Sequence, residues 1–402
     1  MKKILSALLV FLLMLTVLPD GGNGWNAPAM AAKLTVAQIA AGTNHSLALL
    51  SDGSLYAWGN NEYGQLGDGT NIDRKKPVKA GTGFTAISAG ANYSLALKGN
   101  TLYAWGDNYD GQLGDGTNID RKKPVKIGTG YTAITAGDNH TLALKGSTLY
   151  AWGDNYSGQL GDKTKTNKKK PVKIGSGYTA IAAGSDHSLA LKGNTLYAWG
   201  DNRYGQLGDG TKTDSTAPVK IAKGYTAIAA GFGHSLALKG KTLYAWGYNE
   251  DGRLGDGTSA NRTAPVKIGT GYTAIAAGST YSLALKGDEL FAWGDNSDGQ
   301  LGDGTNTDRI TPVKTGTGYT AIAIGCDHSL AIKGGSLYVW GSNEWGKLGD
   351  GTEIDKNIPA RISFFDNLLS SMPIYKYIFN PKKLTPERSR VHRLSDCAFV
   401  II

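Results

Sequence analysis

A chain of 402 residues is long enough to bury a substantial core, and with 41% hydrophobic residues it is neither a polar disordered chain nor a membrane-embedded one. Its two cysteines, Cys326 and Cys397, do not make a disulfide framework, and their pairing is left open. The formal net charge of +9 draws partly on the two ends, so the middle of the chain is only mildly basic and no nucleic-acid partner is expected.

In chain order, Lys2 and Lys3 precede an apolar run from Ile4 to Leu18, and Ala29-Met30-Ala31 follows with the small-residue spacing of a signal-peptidase site. The run is short for a membrane span, so residues 1–31 are read as a cleaved signal peptide of bacterial character, with an uncleaved anchor as the alternative. The expected location is therefore secreted or at the bacterial cell surface.

From there a repeat takes over. Trp-Gly pairs fall at Trp58, Trp105, Trp152, Trp199, Trp246, Trp293 and Trp340, each 47 residues after the last. Closing prolines keep step from Pro77 to Pro359, as do glycines at Gly42, Gly90, Gly137, Gly184, Gly231, Gly278 and Gly325, apart from one extra residue in the turn ending at Ser54. Each unit holds three or four apolar runs of four to six residues bounded by Gly, Asn, Asp and Pro, which is a strand pattern. Lys145-Gly146-Ser147 and its counterparts supply the positive φ of a tight hairpin. Runs such as Leu-Tyr-Ala-Trp are apolar on both faces, as in a small sheet packed between two neighbours. Seven such sheets arranged radially predict an all-β, seven-bladed β-propeller over residues 34–363. An open solenoid would need polar end caps, and the terminal copies have none. Pairing of the first strand, at Gln38-Ile39, with the last, Pro359 to Ile362, inside one blade would close the circle. Residues 364–402 lack the repeat and are read as a C-terminal tail to which no function is assigned, its abrupt change of character fitting a disordered end, a partner-binding extension or a frameshifted reading alike.

The candidate chemistry repeats with the fold, and repetition argues against catalysis, because a reaction needs one asymmetric constellation. The glycine-rich stretch from Trp105 to Thr117 lacks the Gly-Lys-Ser/Thr ending of a phosphate loop, and Asp107 with Asp115 are few ligands for calcium. Local turn chemistry accounts for them better. His45, His140, His187, His234 and His328 occupy one repeat position, where the other two units have Tyr93 and Tyr281. A ring of imidazoles could hold a metal, but tyrosine in the same place indicates a packing position with a hydrogen bond at its tip. The chain is read as no enzyme, with no cofactor and no metal.

The unit from Gly177 to Thr211, with its Ala-Ile-Ala-Ala-Gly, His-Ser-Leu-Ala-Leu and Ala-Trp-Gly-Asp-Asn runs and Gln-Leu-Gly-Asp-Gly-Thr ending, resembles the regulator of chromosome condensation repeat. The resemblance implies a seven-bladed propeller and no single activity, since members of that family exchange guanine nucleotides, bind chromatin or bind proteins. The same runs are similar to the propeller-type β-lactamase inhibitory proteins of bacteria, which implies binding through aromatic loops on one face. This chain departs from them in its longer connection ending Gln-Leu-Gly-Asp-Gly-Thr.

Differences between copies carry the functional expectation. Tyr63, Tyr109, Tyr156, Tyr204, Tyr248 and Trp345 lie just after successive Trp-Gly pairs, and Phe232 lies in the glycine loop of the fifth unit. They are the candidate protein-binding residues, because aromatics on exposed loops anchor recognition. Before the closing prolines come Arg74, Lys75 and Lys76, then Arg121, Lys122 and Lys123, then Lys168, Lys169 and Lys170, with neutral residues there in most later units. These nine form a candidate anion-binding arc. The expected function is a monomeric, non-catalytic propeller that binds a protein. The alternatives are an anionic cell-wall polymer or carbohydrate as ligand, β-lactamase inhibition and, against the expected export and uniform repeat lengths, guanine-nucleotide exchange.

Overall fold

The computed structural model describes residues 34–370; the expected signal segment, Cys397 and most of the expected tail lie outside them. Within them, 28 strands form seven four-stranded antiparallel sheets, each built from four consecutive strands. The blades cover residues 36–81, 86–129, 133–175, 180–223, 227–270, 274–316 and 319–361, numbered 1 to 7 below. The expected seven-bladed propeller is present.

Blade 3 shows why the unit folds as it does. Its strands are Ala133–Ala136, His140–Lys145, Thr148–Gly153 and Lys168–Gly175. Leu142 sits opposite Thr135 on one side and Ala151 on the other, and Ala151 faces Val172 in turn. Gly146, at φ +57°, makes the two-residue turn between Lys145 and Thr148. The second strand is buried along almost its whole length, whereas Lys168–Gly175 leaves lysines exposed on the outer edge. Register shifts on either side of Ala151 bend that outer strand.

The core lies between blades. Leu95, Leu97, Leu102 and Ala104 of blade 2 pack against Tyr131 of the connection and Ala143 and Trp152 of blade 3, and the other seams repeat the pattern. Each repeat tryptophan is fully buried, and its indole N–H donates to a carbonyl in the loop of the preceding blade, as Trp152 does to Gln112 O at 2.9 Å. Gly114 in that loop lies flat on the Trp152 ring, where a Cβ would come within 2.5 Å of Nε1. The 47-residue spacing of Trp and Gly is thus a contact between neighbouring blades.

Closure of the ring departs from expectation. Val36–Ala41 pairs with His45–Leu50 in blade 1, and Lys356–Arg361 pairs with Ser336–Gly341 in blade 7, so no blade is shared between the two ends. The seam between blades 7 and 1 closes as the other six do, by packing: Trp58 donates to Lys347 O at 2.8 Å, and Val36 N–H reaches Gly335 O at 3.1 Å. One element is particular to it. In six seams an aromatic from the connection between blades (Phe84, Tyr131, Tyr178, Tyr225, Tyr272 or Tyr319) is buried against the tryptophan core. Among the described residues no connection from a preceding blade enters blade 1. A helix at Phe364–Ser370, inside the segment read as tail, supplies Phe365 instead, with ring centroids 5.6 Å from Tyr56 and 6.1 Å from Trp58. All seven blades and their closing contacts therefore lie within residues 34–370.

Candidate functional site

Chain direction places the functional loops. In each blade the connections after the first and third strands emerge at the same end, so the loops after Trp-Gly and the short glycine loops share one face. Beneath that face runs a buried belt. His45 Nε2 lies 2.9 Å from Ser94 Oγ of the next blade, and His140, His187, His234 and His328 repeat the bond to Ser188, Ser235, Ser282 and Ser46. Ser94 already donates its hydroxyl to Gln65 O at 2.8 Å, so Nε2 is the donor in the pair. Burial, the dominant cause, lowers the pKa to about 3 in His45, His140 and His187, and lowers it in His234 and His328 too. Tyr93 and Tyr281 fill the same place by donating to His140 O and His328 O at 2.6 Å. With Nε2 committed to serine, the histidines are inter-blade rivets. Among the described residues no group of three or more His, Cys, Asp or Glu is arranged to hold a metal.

The glycine loops converge on the axis around a cavity of about 300 Å³ lined by Ala-Gly backbone with Asp138, Ser185, Phe232 and Cys326. Glycine is required here by close approach: a Cβ on Gly137 would stand 2.3 Å from Gly184 O of the next blade.

Above the belt each long loop is knotted by its own polar residues. In blade 2, Asn108 Oδ1 accepts Leu113 N–H at 3.0 Å while its amide donates to Ile119 O, and Asp115 accepts from Thr117 N–H and hydroxyl at 2.9 and 2.7 Å. The Asp-Gly-Thr stretch is turn chemistry, with its side chains committed to the loop.

On these rigid loops the aromatic candidates separate into two groups. Tyr109 and Tyr156, at equivalent positions of adjacent blades, are 82% and 80% exposed. A bond from Asn167 to Asp110, 2.9 Å long, ties their two loops together. Phe232 and Trp345 are also exposed, Trp345 on a backbone at φ +64°. Tyr63, Tyr204 and Tyr248 are half-buried. Tyr204 and Tyr248 stack on each other, centroids 4.2 Å apart, and Arg253 lies 4.3 Å from the centre of the Tyr248 ring. Those two rings cover the seam between blades 4 and 5 and offer edges, where Tyr109 and Tyr156 offer whole faces.

Carboxylates gather beside these aromatics. Burial first, then the neighbouring Asp138, Asp154 and Asp201, push the Asp186 carboxyl up to about 6. Asp107, Asp110 and Asp138 are raised as well, each mainly by burial. Gln159 donates to both Asp154 and Asp186, at 2.7 and 3.2 Å. Where Gln would recur, blades 5 and 7 carry Arg253 and Lys347; Lys347 Nζ is buried 2.6 Å from Asp327 Oδ1, and in blade 4 Arg203 pairs with Asp201 at 2.9 Å, whereas Asp138, Asp154 and Asp186 form no ion pair among the described residues.

The basic arc is smaller than the nine residues suggest. Arg74, Arg121 and Lys168 pair with Asp68, Asp115 and Asp162 of their own loops at 2.7, 2.6 and 3.3 Å. Although burial works the other way, bonds from Thr70 and Arg74 hold the Asp68 carboxyl below its usual range. Lys75 reaches Glu353 at 3.1 Å. Lys76, Lys122, Lys123, Lys169 and Lys170 are exposed on the outer strands at the same end of the ring and, among the described residues, form no ion pair.

This architecture has relatives. The RCC1-like domain matches residues 20–236 and 128–373, which together span most of the chain. The chain belongs to the RCC1-like domain family. Its structure is similar to that of yeast RCC1 (Prp20) bound to Kap60, with a TM-score of 0.70 at 24% identity over 85% of this chain and 91% of that one. Prp20p of Saccharomyces cerevisiae, described with its binding properties to Gsp1p and histones, also gives 0.70, at 25% identity over 82% and 87%. Curated relatives match over short stretches: the ultraviolet-B receptor UVR8 of Arabidopsis thaliana is 50% identical over 44 residues, 11% of this chain and 10% of that protein. Alsin of Mus musculus is 40% identical over 65 residues, 15% of this chain and 4% of that protein. The chain thus spans a tenth or less of these relatives, and what they share with it is the repeat.

Sequence reading of this RCC1-like propeller passed over three features. In the aspartate group of blades 3 and 4, Asp154 and Asp201 are the recurring Asp after Trp-Gly, and Asp138 and Asp186 stand as departures in the glycine loops. Arg253 and Lys347 replace a repeat glutamine, a substitution that alignment of the seven units exposes. Ile72, Ile119 and Ile354, exposed at the loop tips, stand where other units have Thr or Ala.

Proposed function

We propose that the chain is a non-catalytic binding propeller, exported to the bacterial surface or beyond, that recognises a protein through the loop face of blades 2 to 5. The exposure of Tyr109 and Tyr156, side by side on loops locked by internal hydrogen bonds, carries this reading. Rigid aromatics lose little side-chain entropy on binding and bury large area, which is what an interface anchor requires. Asp138, Asp154 and Asp186 beside them, without an ion pair among the described residues and with Asp186 raised by burial and then by its neighbours, favour a partner that presents lysine or arginine to that edge. Export rests on the N-terminal pattern alone. Anionic cell-wall polymer as the ligand has weaker support, because a third of the basic candidates are ion-paired within their own loops.

The test is capture from bacterial secreted and envelope proteins, class A β-lactamases included, on the wild type and on a Tyr109→Ala/Tyr156→Ala variant. A stoichiometric protein retained at high salt by the wild type and lost by the variant supports the reading. Equal retention by both, or capture only of polyanions that salt removes, contradicts it.

A further inference from the structure

The exposed isoleucines and the exposed lysine pairs of the outer strands coincide. Each long loop is bonded through a backbone N–H, from a glycine in all but blade 3, where Lys163 donates, to the start of the next blade's outer strand: Gly351 to Lys75 O at 2.8 Å, Gly69 to Lys122 O and Gly116 to Lys169 O at 2.9 Å. The loops making these three contacts are tipped by Ile354, Ile72 and Ile119, exposed by 68%, 59% and 61%. The strands receiving them carry Lys75-Lys76, Lys122-Lys123 and Lys169-Lys170. At the other four seams the tip is Thr or Ala, and no lysine pair receives it. Aliphatic tip and lysine pair therefore occur together at three consecutive seams, 7/1, 1/2 and 2/3, and nowhere else in the ring.

Neither half is needed by the fold. The isoleucines leave more than half of their surface in water, and the four seams without them keep the same backbone bonds. The carboxylates nearest the tips, Asp73, Asp120 and Asp355, accept backbone N–H groups of their own loops at 2.7 to 2.9 Å, and Glu353 is taken by Lys75. Six lysines against these four acids leave the arc net positive.

We propose that this arc docks on an anionic lipid bilayer, the lysines meeting headgroup phosphates while the isoleucine tips enter the boundary of the acyl region. A soluble polyanion would use the lysines and leave three exposed isoleucines without purpose. An interface that is anionic at its surface and apolar just beneath uses both. The arc shares the long loop of blade 2 with the aromatic face, Tyr109 and Ile119 both lying on it, but it rests on different side chains.

The experiment uses the chain from Lys33 onward, which keeps all seven blades and the closing helix and lacks the N-terminal apolar run. It is sedimented with vesicles of phosphatidylcholine alone or mixed with phosphatidylglycerol. Binding to the mixed vesicles is expected, weakened about tenfold by Ile72→Ser/Ile119→Ser/Ile354→Ser and to a similar degree by Lys122→Gln/Lys123→Gln. All five positions are exposed, and circular dichroism checks that the variants fold as the wild type does. Absence of binding to the mixed vesicles overturns the proposal. So does binding indifferent to the isoleucine substitutions, or tighter binding of soluble polyglutamate than of the vesicles, either of which would make the arc a simple polyanion site.

Discussion

In the buried belt, equivalent positions around the ring carry the same residue or one that makes the same bond: His or Tyr to Ser or Thr, and Trp to the carbonyl of the preceding loop. On the loops above it, the positions after Trp-Gly carry Tyr, Glu, Arg, Ser or Trp, with exposure ranging from half-buried Tyr63 to Tyr109 in open water. The belt shows what closing a ring of seven sheets demands, and the loops show what the ring leaves free. Function in a repeat protein is to be sought in the second set, provided the first is intact.

Acid should separate the two layers most strongly. The five belt histidines stay neutral in the folded ring while an unfolded chain protonates near pH 6.5, so the unfolded state binds more protons as pH falls. Stability is fully present above about pH 6.5 and declines below it, by up to about 1.4 kcal/mol per pH unit for each histidine. Urea unfolding at pH 7 and pH 5 measures this. His140→Tyr, a side chain already accommodated at Tyr93 and Tyr281, should flatten the slope; an unchanged slope would mean that the belt is not what acid attacks.

Next in size are the packing residues. Trp152→Ala removes a fully buried indole and leaves Gln112 O short of a donor, costing about 3–5 kcal/mol. Phe365→Ala should cost about 3 kcal/mol and act at one seam alone. Hydrogen exchange should then rise in Val36–Leu50 and His328–Gly341 before it rises in blades 3 to 5. Uniform acceleration would show that the helix is not a local clasp.

Smaller still is the effect of Arg74→Ala. The Arg74 side chain is partly solvated, and exposed pairs contribute up to about 1 kcal/mol, so thermal unfolding should shift slightly. A large loss would mean that the loop knot depends on its cation.

Much of the fold was legible because a seven-fold repeat states its contacts seven times: the 47-residue spacing of Trp58 to Trp340 and the turn at Gly146 correspond directly to the seams and the hairpins. Closure was not. Pairing within one blade or packing between two depends on where the circle is cut, and Phe365 lies beyond the repeat, where it reads as tail. At the face, sequence located Tyr109 and Tyr156 but could not tell them from Tyr204 and Tyr248, whose stacking joins two blades. The pairing of Arg74 with Asp68 depends on a loop fold that residue spacing does not reveal.

Comparison of Tyr109→Ala/Tyr156→Ala with wild type, in partner binding and thermal unfolding together, tests the division between belt and loops most directly. Both side chains stand in solvent above an intact belt, so unfolding should move by no more than about 0.5 kcal/mol while binding of the captured protein weakens by about 2 kcal/mol or more. Unchanged binding, or a loss of binding that merely follows a loss of stability, would contradict the account.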